Sequence, residues 1–150
     1  MYGRGLGLTA VEILIVLALM GTLTAMAVPN FFRSIQESAK KRVIVDLQTL
    51  QFQIDLYERM NEQLPESLDD VGGGVRLDHW GYTYRYMPST HPRWTSEHKR
   101  DVHQKPLNSD YDLYSIGPDG LTHKNLNNPD TFDDIVRAED GFFLGPASEY

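Results

Sequence analysis

The sequence has no cysteine, so no disulfide staples the fold and no thiolate is on hand for a metal. It has no dominant basic stripe either. Fourteen Lys and Arg stand against 21 Asp and Glu, for a formal net charge of −7, and nothing here points to nucleic-acid binding. There is no internal repeat and no low-complexity block. Nor is there a nucleophile, base and oxyanion arrangement: Ser67, Ser89, Ser96 and Ser109 stand without catalytic context, so no enzyme is expected. A length of 150 residues leaves room for one small domain beyond any N-terminal helix. Without disulfides, such a domain in an oxidising compartment needs another stabiliser: a metal, a partner or a long helix of its own.

What the sequence does have is one apolar run, Leu8 to Val28, carrying a single formal charge at Glu12. About 21 residues of helix rise roughly 30 Å, the hydrocarbon thickness of a bilayer. The N-terminus is therefore expected to meet a membrane. An acidic residue at a helix centre costs roughly 2.5–3.5 kcal/mol on insertion scales; nearer the end it costs less but still needs a partner. Three readings of the run stand open. It is a cleaved secretory signal, with Met1 and Arg4 as its positive region and Ala25-Met26-Ala27 as the cleavage site. Or it is a plain anchor. Or it is a signal cut ahead of the apolar run, so that the helix survives as a polymerisation element.

Past Pro29, Phe32, Ile35, Ala39, Val43, Leu47, Leu50, Ile54 and Tyr57 recur at three- and four-residue steps, one helical stripe. Pro29 is expected to kink or loosen the helix without ending it. The other face carries Glu37, Lys40, Lys41, Asp46, Gln53 and Glu58. A helix from Leu8 to about Met60 is predicted, roughly 80 Å long. This continuity of phase argues against a cleaved secretory signal.

The segment 62–74 is a turn-rich break, with a helical turn starting near Pro65 and a glycine run at Gly72-Gly73-Gly74. Tyr82, Tyr84 and Tyr86 alternate with polar residues as a half-buried strand. Pro88 to Pro106 is polar and locally basic, with His91, Arg93, His98, Lys99, Arg100, His103 and Lys105, and reads as a surface excursion. The stretch Tyr111–Gly117 is a second strand, turning at Gly117-Pro118-Asp119-Gly120. Residues 141–146 read as a last short strand. From Asn108 to Tyr150 nine acids face only Lys124 and Arg137, an asymmetry that points to a cation or a basic partner. His91, His98 and His103 fit no usual zinc spacing. Asn108, Asp110, Asp112 and Asp119 imitate an EF-hand, but Leu113 stands where that loop requires glycine; neither site is expected.

Gly7 followed by the apolar run, with Glu12 fifth and Pro29 twenty-second after it, resembles the processing site of prepilins, in type IV pilins and pseudopilins alike. Asp78-His79-Trp80-Gly81 with Tyr84 and Tyr86, then Tyr111-Asp112-Leu113-Tyr114-Ser115-Ile116-Gly117-Pro118-Asp119-Gly120 and Asp133-Asp134-Ile135, resemble in order the head of the major pseudopilins of type II secretion. The likeness implies an α+β, type IV pilin-like fold: a long N-terminal helix packed on a small antiparallel sheet with a C-terminal acidic loop. Residues 1–7 would be the leader, 8–29 the membrane and assembly helix, and 30–150 the head. The resemblance implies cleavage between Gly7 and Leu8 by a prepilin peptidase, which takes Arg4 away and leaves −8 in side chains, and methylation of the Leu8 amine. Filament assembly would run through Leu8, Glu12 and Pro29. The Glu12 carboxylate of one copy would meet the terminal amine of the next at low dielectric, where the attraction is strong.

The implied protein is a structural subunit, single-pass in a bacterial inner membrane with its head in the periplasm. Its partners would be copies of itself, minor pseudopilins and an inner-membrane assembly platform, and the growing periplasmic pseudopilus would drive export. A surface type IV pilin and a secreted or tethered binding domain remain the alternatives. The family also implies one calcium ion, held here by the Ile116 carbonyl and the carboxylates of Asp119, Asp133 and Asp134. Several oxygen donors suit that hard cation, and its binding would order a cysteine-free head.

Overall fold

The computed structural model describes residues 9–72 and 76–150. One helix, α1, runs Ala10–Asn61 straight through Pro29. Proline lacks the N–H that would bond back one turn, yet the helix continues on both sides of it, as the unbroken apolar phase predicts. The chain divides into two compact units at Ser38. In the first, residues 10–38 are helix with an apolar surface left bare: Leu14, Leu17, Leu23 and Met26 are all exposed. It is long and apolar enough to cross a membrane.

The second unit, Ala39–Tyr150, holds the rest of α1 and a four-stranded sheet. The strands β1 (Arg85–Pro88), β2 (Tyr111–Ser115), β3 (Ile135–Ala138) and β4 (Phe143–Pro146) are neighbours in chain order and antiparallel throughout. Arg85 pairs with Tyr114, Tyr114 with Val136, and Ile135 with Pro146. A turn of 3-10 helix, Leu68–Val71, follows α1. Ser67 and Asp70 close a capping box over its start, and Gly72 ends it in the left-handed region. Gly73 and Gly74, read as part of the same break, lie outside the described residues.

Val43, Leu47, Leu50 and Ile54 of α1 are fully buried against Tyr84, Tyr111, Leu113 and Ile135. At about 1.5–3 kcal/mol for each large apolar side chain removed from water, this seam is the main stabiliser of the head. The predicted stripe is therefore buried from Ala39 to Ile54, and its last residue, Tyr57, is half-buried. Phe32 and Ile35 depart from it: both are exposed, because they belong to the first unit. The opposite face of the sheet is also covered. Leu107, Leu126, Val136, Ala138 and Ala147 form a second cluster with Tyr114 and Phe143 beside it.

Burial within 88–106 corrects the reading of that segment as a plain surface excursion. The segment carries a one-turn helix, α2 (Trp94–Glu97), and then folds inward. His98 and Lys99 are buried, with the His98 ring tilted against Trp94 at 5.3 Å. The Arg100 N–H donates to the Lys124 carbonyl at 2.7 Å, and the Leu126 N–H donates to the Arg100 carbonyl at 3.0 Å. Two long polar connections are thus zipped to each other across the sheet. β3 is the other addition: all four of its residues are buried, and a run with no polar alternation does not announce itself as a strand.

Candidate functional site

Three places carry the residues singled out by sequence. At the N-terminus, Gly7 and Leu8, the expected cleavage and methylation positions, lie outside the described residues. Glu12 and Pro29 are both in α1. Glu12 closes a capping box: the Thr9 N–H and hydroxyl donate to Glu12 Oε2 at 2.7 and 2.8 Å, and the Glu12 N–H donates back to Thr9 Oγ1 at 3.3 Å. Two free N–H groups at the helix start are satisfied in this way. Within a single chain, then, the carboxylate has a local occupation, on an otherwise apolar and exposed helical segment.

The second place is the joint between the two sequence motifs of the head. Asp78, buried, accepts from the N–H groups of Trp80 and Tyr82, each at 2.9 Å, through Oδ1, and from the Ser115 hydroxyl at 2.6 Å through Oδ2. It locks the turn before β1 to the end of β2. Asp112 is likewise structural. Its carboxylate accepts from the Lys99 N–H at 2.5 Å and from Asn108 Nδ2 at 3.2 Å. Burial pushes its carboxyl up, and those donors oppose the rise. Beneath β2, Arg137 makes a two-pronged pair with Asp110 at 2.7 and 2.6 Å and lies 3.9 Å over the Tyr111 ring. Sequence reasoning left both Arg137 and Asp110 without a role. A lone arginine in an apolar run was the available signal.

The third place is the acidic loop. Gly117 adopts φ +69°, and a Cβ there would lie 2.6 Å from the Asp133 carbonyl oxygen and 2.7 Å from its Oδ2. Only glycine permits that approach. Asp133 Oδ2 accepts from the Asp119 N–H at 3.2 Å, and Asp119 Oδ1 accepts from the Leu121 N–H at 2.8 Å. The turn after Ile116 is thereby brought against Asp133, two of the expected calcium ligands side by side. Asp134 is turned to a different partner. It is fully buried, and its Oδ2 lies 2.5 Å from Lys99 Nζ and accepts from the Thr122 hydroxyl at 2.6 Å.

Lys99 Nζ also donates to Thr122 Oγ1 at 2.6 Å and to the His123 carbonyl at 3.0 Å, and sits 4.2 Å from the Tyr114 ring centroid. Its three donors are all used. Burial pushes the Asp134 carboxyl up, to about 6, with Lys99 and Thr122 holding it from rising further, and burial draws the Lys99 ammonium down. Asp134 Oδ1, buried without a hydrogen-bond partner, is the one oxygen of that carboxylate left to serve a cation or a water.

The expected donor set does not fit a divalent ion as it stands. A carboxylate in contact with a buried ammonium is already neutralised, and a second cation beside that ammonium is repelled. Among the described residues no three His, Asp or Glu side chains are grouped to hold a metal.

Known relatives resemble the chain along nearly its whole length. The type II secretion system core protein G of Dickeya chrysanthemi is 28% identical over 143 residues, covering 88% of this chain and 85% of that protein. Proteins of the same name from Pectobacterium carotovorum subsp. carotovorum and Klebsiella pneumoniae are each 26% identical, covering 88% and 81% of this chain and 83% and 91% of their own. No protein-family model matches the chain, and no solved structure matches it. The likeness to major pseudopilins, drawn from short motifs, thus extends over most of the sequence, and the helix-on-sheet layout is the pilin-like one expected.

Proposed function

We propose that this chain, similar over most of its length to type II secretion core protein G, is a structural subunit of a type II secretion pseudopilus. The observation that carries the reading is the likeness over 88% of the chain, and the bare apolar surface of the first unit of α1 supports it. An apolar helical surface this exposed among the described residues needs lipid or other helices around it.

In this reading residues 1–7 are a leader that a prepilin peptidase removes after Gly7, and the Leu8 amine is then methylated. Residues 8–29 hold the subunit in the inner membrane, and 30–150 stand in the periplasm. Copies leave the membrane and stack through their helices, meeting minor pseudopilins and the assembly platform. Glu12 serves two partners: the capping box with Thr9 in its own chain, and the terminal amine of a neighbour, which fixes axial register. A lone carboxylate surrounded by apolar helices is costly unless such a partner arrives.

The test is assembly of Glu12→Ala against Glu12→Gln. Glutamine keeps the cap to Thr9 but removes the charge. Both variants should accumulate with a folded head, and both should lose filaments. Filaments from Glu12→Gln at the wild-type level would show that capping, and not an ion pair, is what Glu12 supplies. Purified protein whose N-terminal sequence begins at Val28 would overturn the reading in favour of a secreted domain.

A further inference from the structure

We infer that Lys99 is the built-in cation of the acidic loop, and that the head is ordered by this ammonium without calcium. The geometry has the marks of a cation site whose occupant is covalently attached. The Lys99 side chain is 3% exposed and the Asp134 side chain 0%. Nζ takes oxygens from three residues, Asp134, Thr122 and His123, at 2.5–3.0 Å, with the Tyr114 ring beneath it. Thr122 closes the ring by donating its own hydroxyl to Asp134.

The position of Lys99 is set before its side chain is considered. Its N–H donates to Asp112 on β2, its carbonyl accepts from the Leu107 N–H at 2.9 Å, and its neighbour Arg100 is zipped to residues 124–126. The side chain therefore arrives at the carboxylate already aimed, which lowers the entropy lost in holding a long flexible stem.

The ammonium joins the β2–β3 connection to the start of β3, as the expected metal would, and adds the connection after β1. It ties the connection after β1, the connection after β2 and the residue ahead of β3 at one point. A lysine does this with three directed donors and one charge, so it needs only one carboxylate. Asp119 and Asp133 are free to bond within the turn, as they do. A divalent ion needs several oxygens at once, and it would have to displace a buried ammonium whose three donors are all bonded. The inference is independent of filament formation, since its readout is unfolding of the head.

The experiment is thermal unfolding of the full chain in detergent micelles, followed by near-ultraviolet circular dichroism, in excess calcium chloride and then in excess EGTA. The wild-type midpoint should be the same in both. Lys99→Met leaves a buried carboxylate unpaired and should lower the midpoint by roughly 10 °C. The double variant Lys99→Met with Asp134→Asn buries no lone charge and should recover a large part of that loss. A wild-type midpoint that rises with calcium overturns the proposal whatever the variants do, and so does a Lys99→Met chain as stable as wild type. Where Lys99→Met alone fails to fold, a folded double variant counts for the pair and an unfolded one against it.

Discussion

At the scale of single residues, the head is held by small polar groups that the sequence motifs mark but do not explain. Asp78, Asp112 and Gly117 stand out by their likeness to a known pattern, and the structure supplies the reasons: a turn locked to a strand end, a loop pinned at its backbone, a carbonyl approached too closely for any Cβ. Gly117 and Gly81 separate two costs. Both have positive φ, +69° and +91°, but a Cβ at Gly81 meets nothing within 4 Å whereas one at Gly117 collides with Asp133. Gly81→Ala should cost about 1 kcal/mol of backbone strain. Gly117→Ala should cost about 3 kcal/mol, because the strain is joined by displacement of a backbone oxygen. Urea unfolding with an unchanged slope is the check, and equal midpoints for the two variants would show that the Asp133 loop yields freely. Lys99 was not legible at this scale. Its partner is 35 residues away, and one lysine among many charges in a polar stretch carries no periodic signal.

The elements show where periodicity speaks and where it is silent. In α1 the three- and four-residue steps predict the buried seam from Ala39 to Ile54 correctly, because one face of a long helix must meet the sheet. The same steps continue back through Ile35 and Phe32, which belong to the first unit and are both exposed. Sequence phase records that a face is apolar, not what covers it. The difference is measurable. Leu50→Ala, at a fully buried position, should lower head stability by about 3 kcal/mol. Phe32→Ser should leave it within about 0.5 kcal/mol and instead reduce filament yield. A Phe32→Ser chain that unfolds early would place this residue in the core of the head. β3 and the inward fold of the 88–106 connection escape the sequence for opposite reasons. β3 is buried on both faces and so shows no alternation. The connection is polar, yet it hides two of its charged or aromatic residues, His98 and Lys99, by pairing with another loop.

Across the whole head, three tyrosines stand at the junction of helix, turn and sheet, each donating its hydroxyl to an acceptor on a different part of the chain. Tyr84 donates to Asp46 at 2.9 Å, Tyr111 to Asp55 at 3.1 Å, and Tyr86 to the Pro65 carbonyl at 3.0 Å. Burial is the first cause that pushes all three phenols above their ordinary value, and nearby carboxylates add to it: Asp46 beside Tyr84, Asp110 near Tyr86, Asp55 beside Tyr111. A phenol whose pKa is raised by folding keeps its proton longer in the native state than in the unfolded chain. Its stabilising contribution is whole below the unfolded value near 10 and shrinks as pH rises above that. No disulfide limits the opening that follows. The head should therefore unfold cooperatively in alkali, with phenolate absorbance rising in step with the loss of near-ultraviolet dichroism. Each tyrosine that ionises only on unfolding removes about 1.4 kcal/mol of stability per pH unit above that point. Tyr84→Phe gives up one hydrogen bond to an exposed carboxylate and one of these protons. It should be slightly less stable than wild type at neutral pH but should lose stability less steeply above pH 10. Parallel pH slopes for the two chains would mean that Tyr84 ionises within the folded head, and that the hydroxyl to Asp46 does not hold the sheet to the helix.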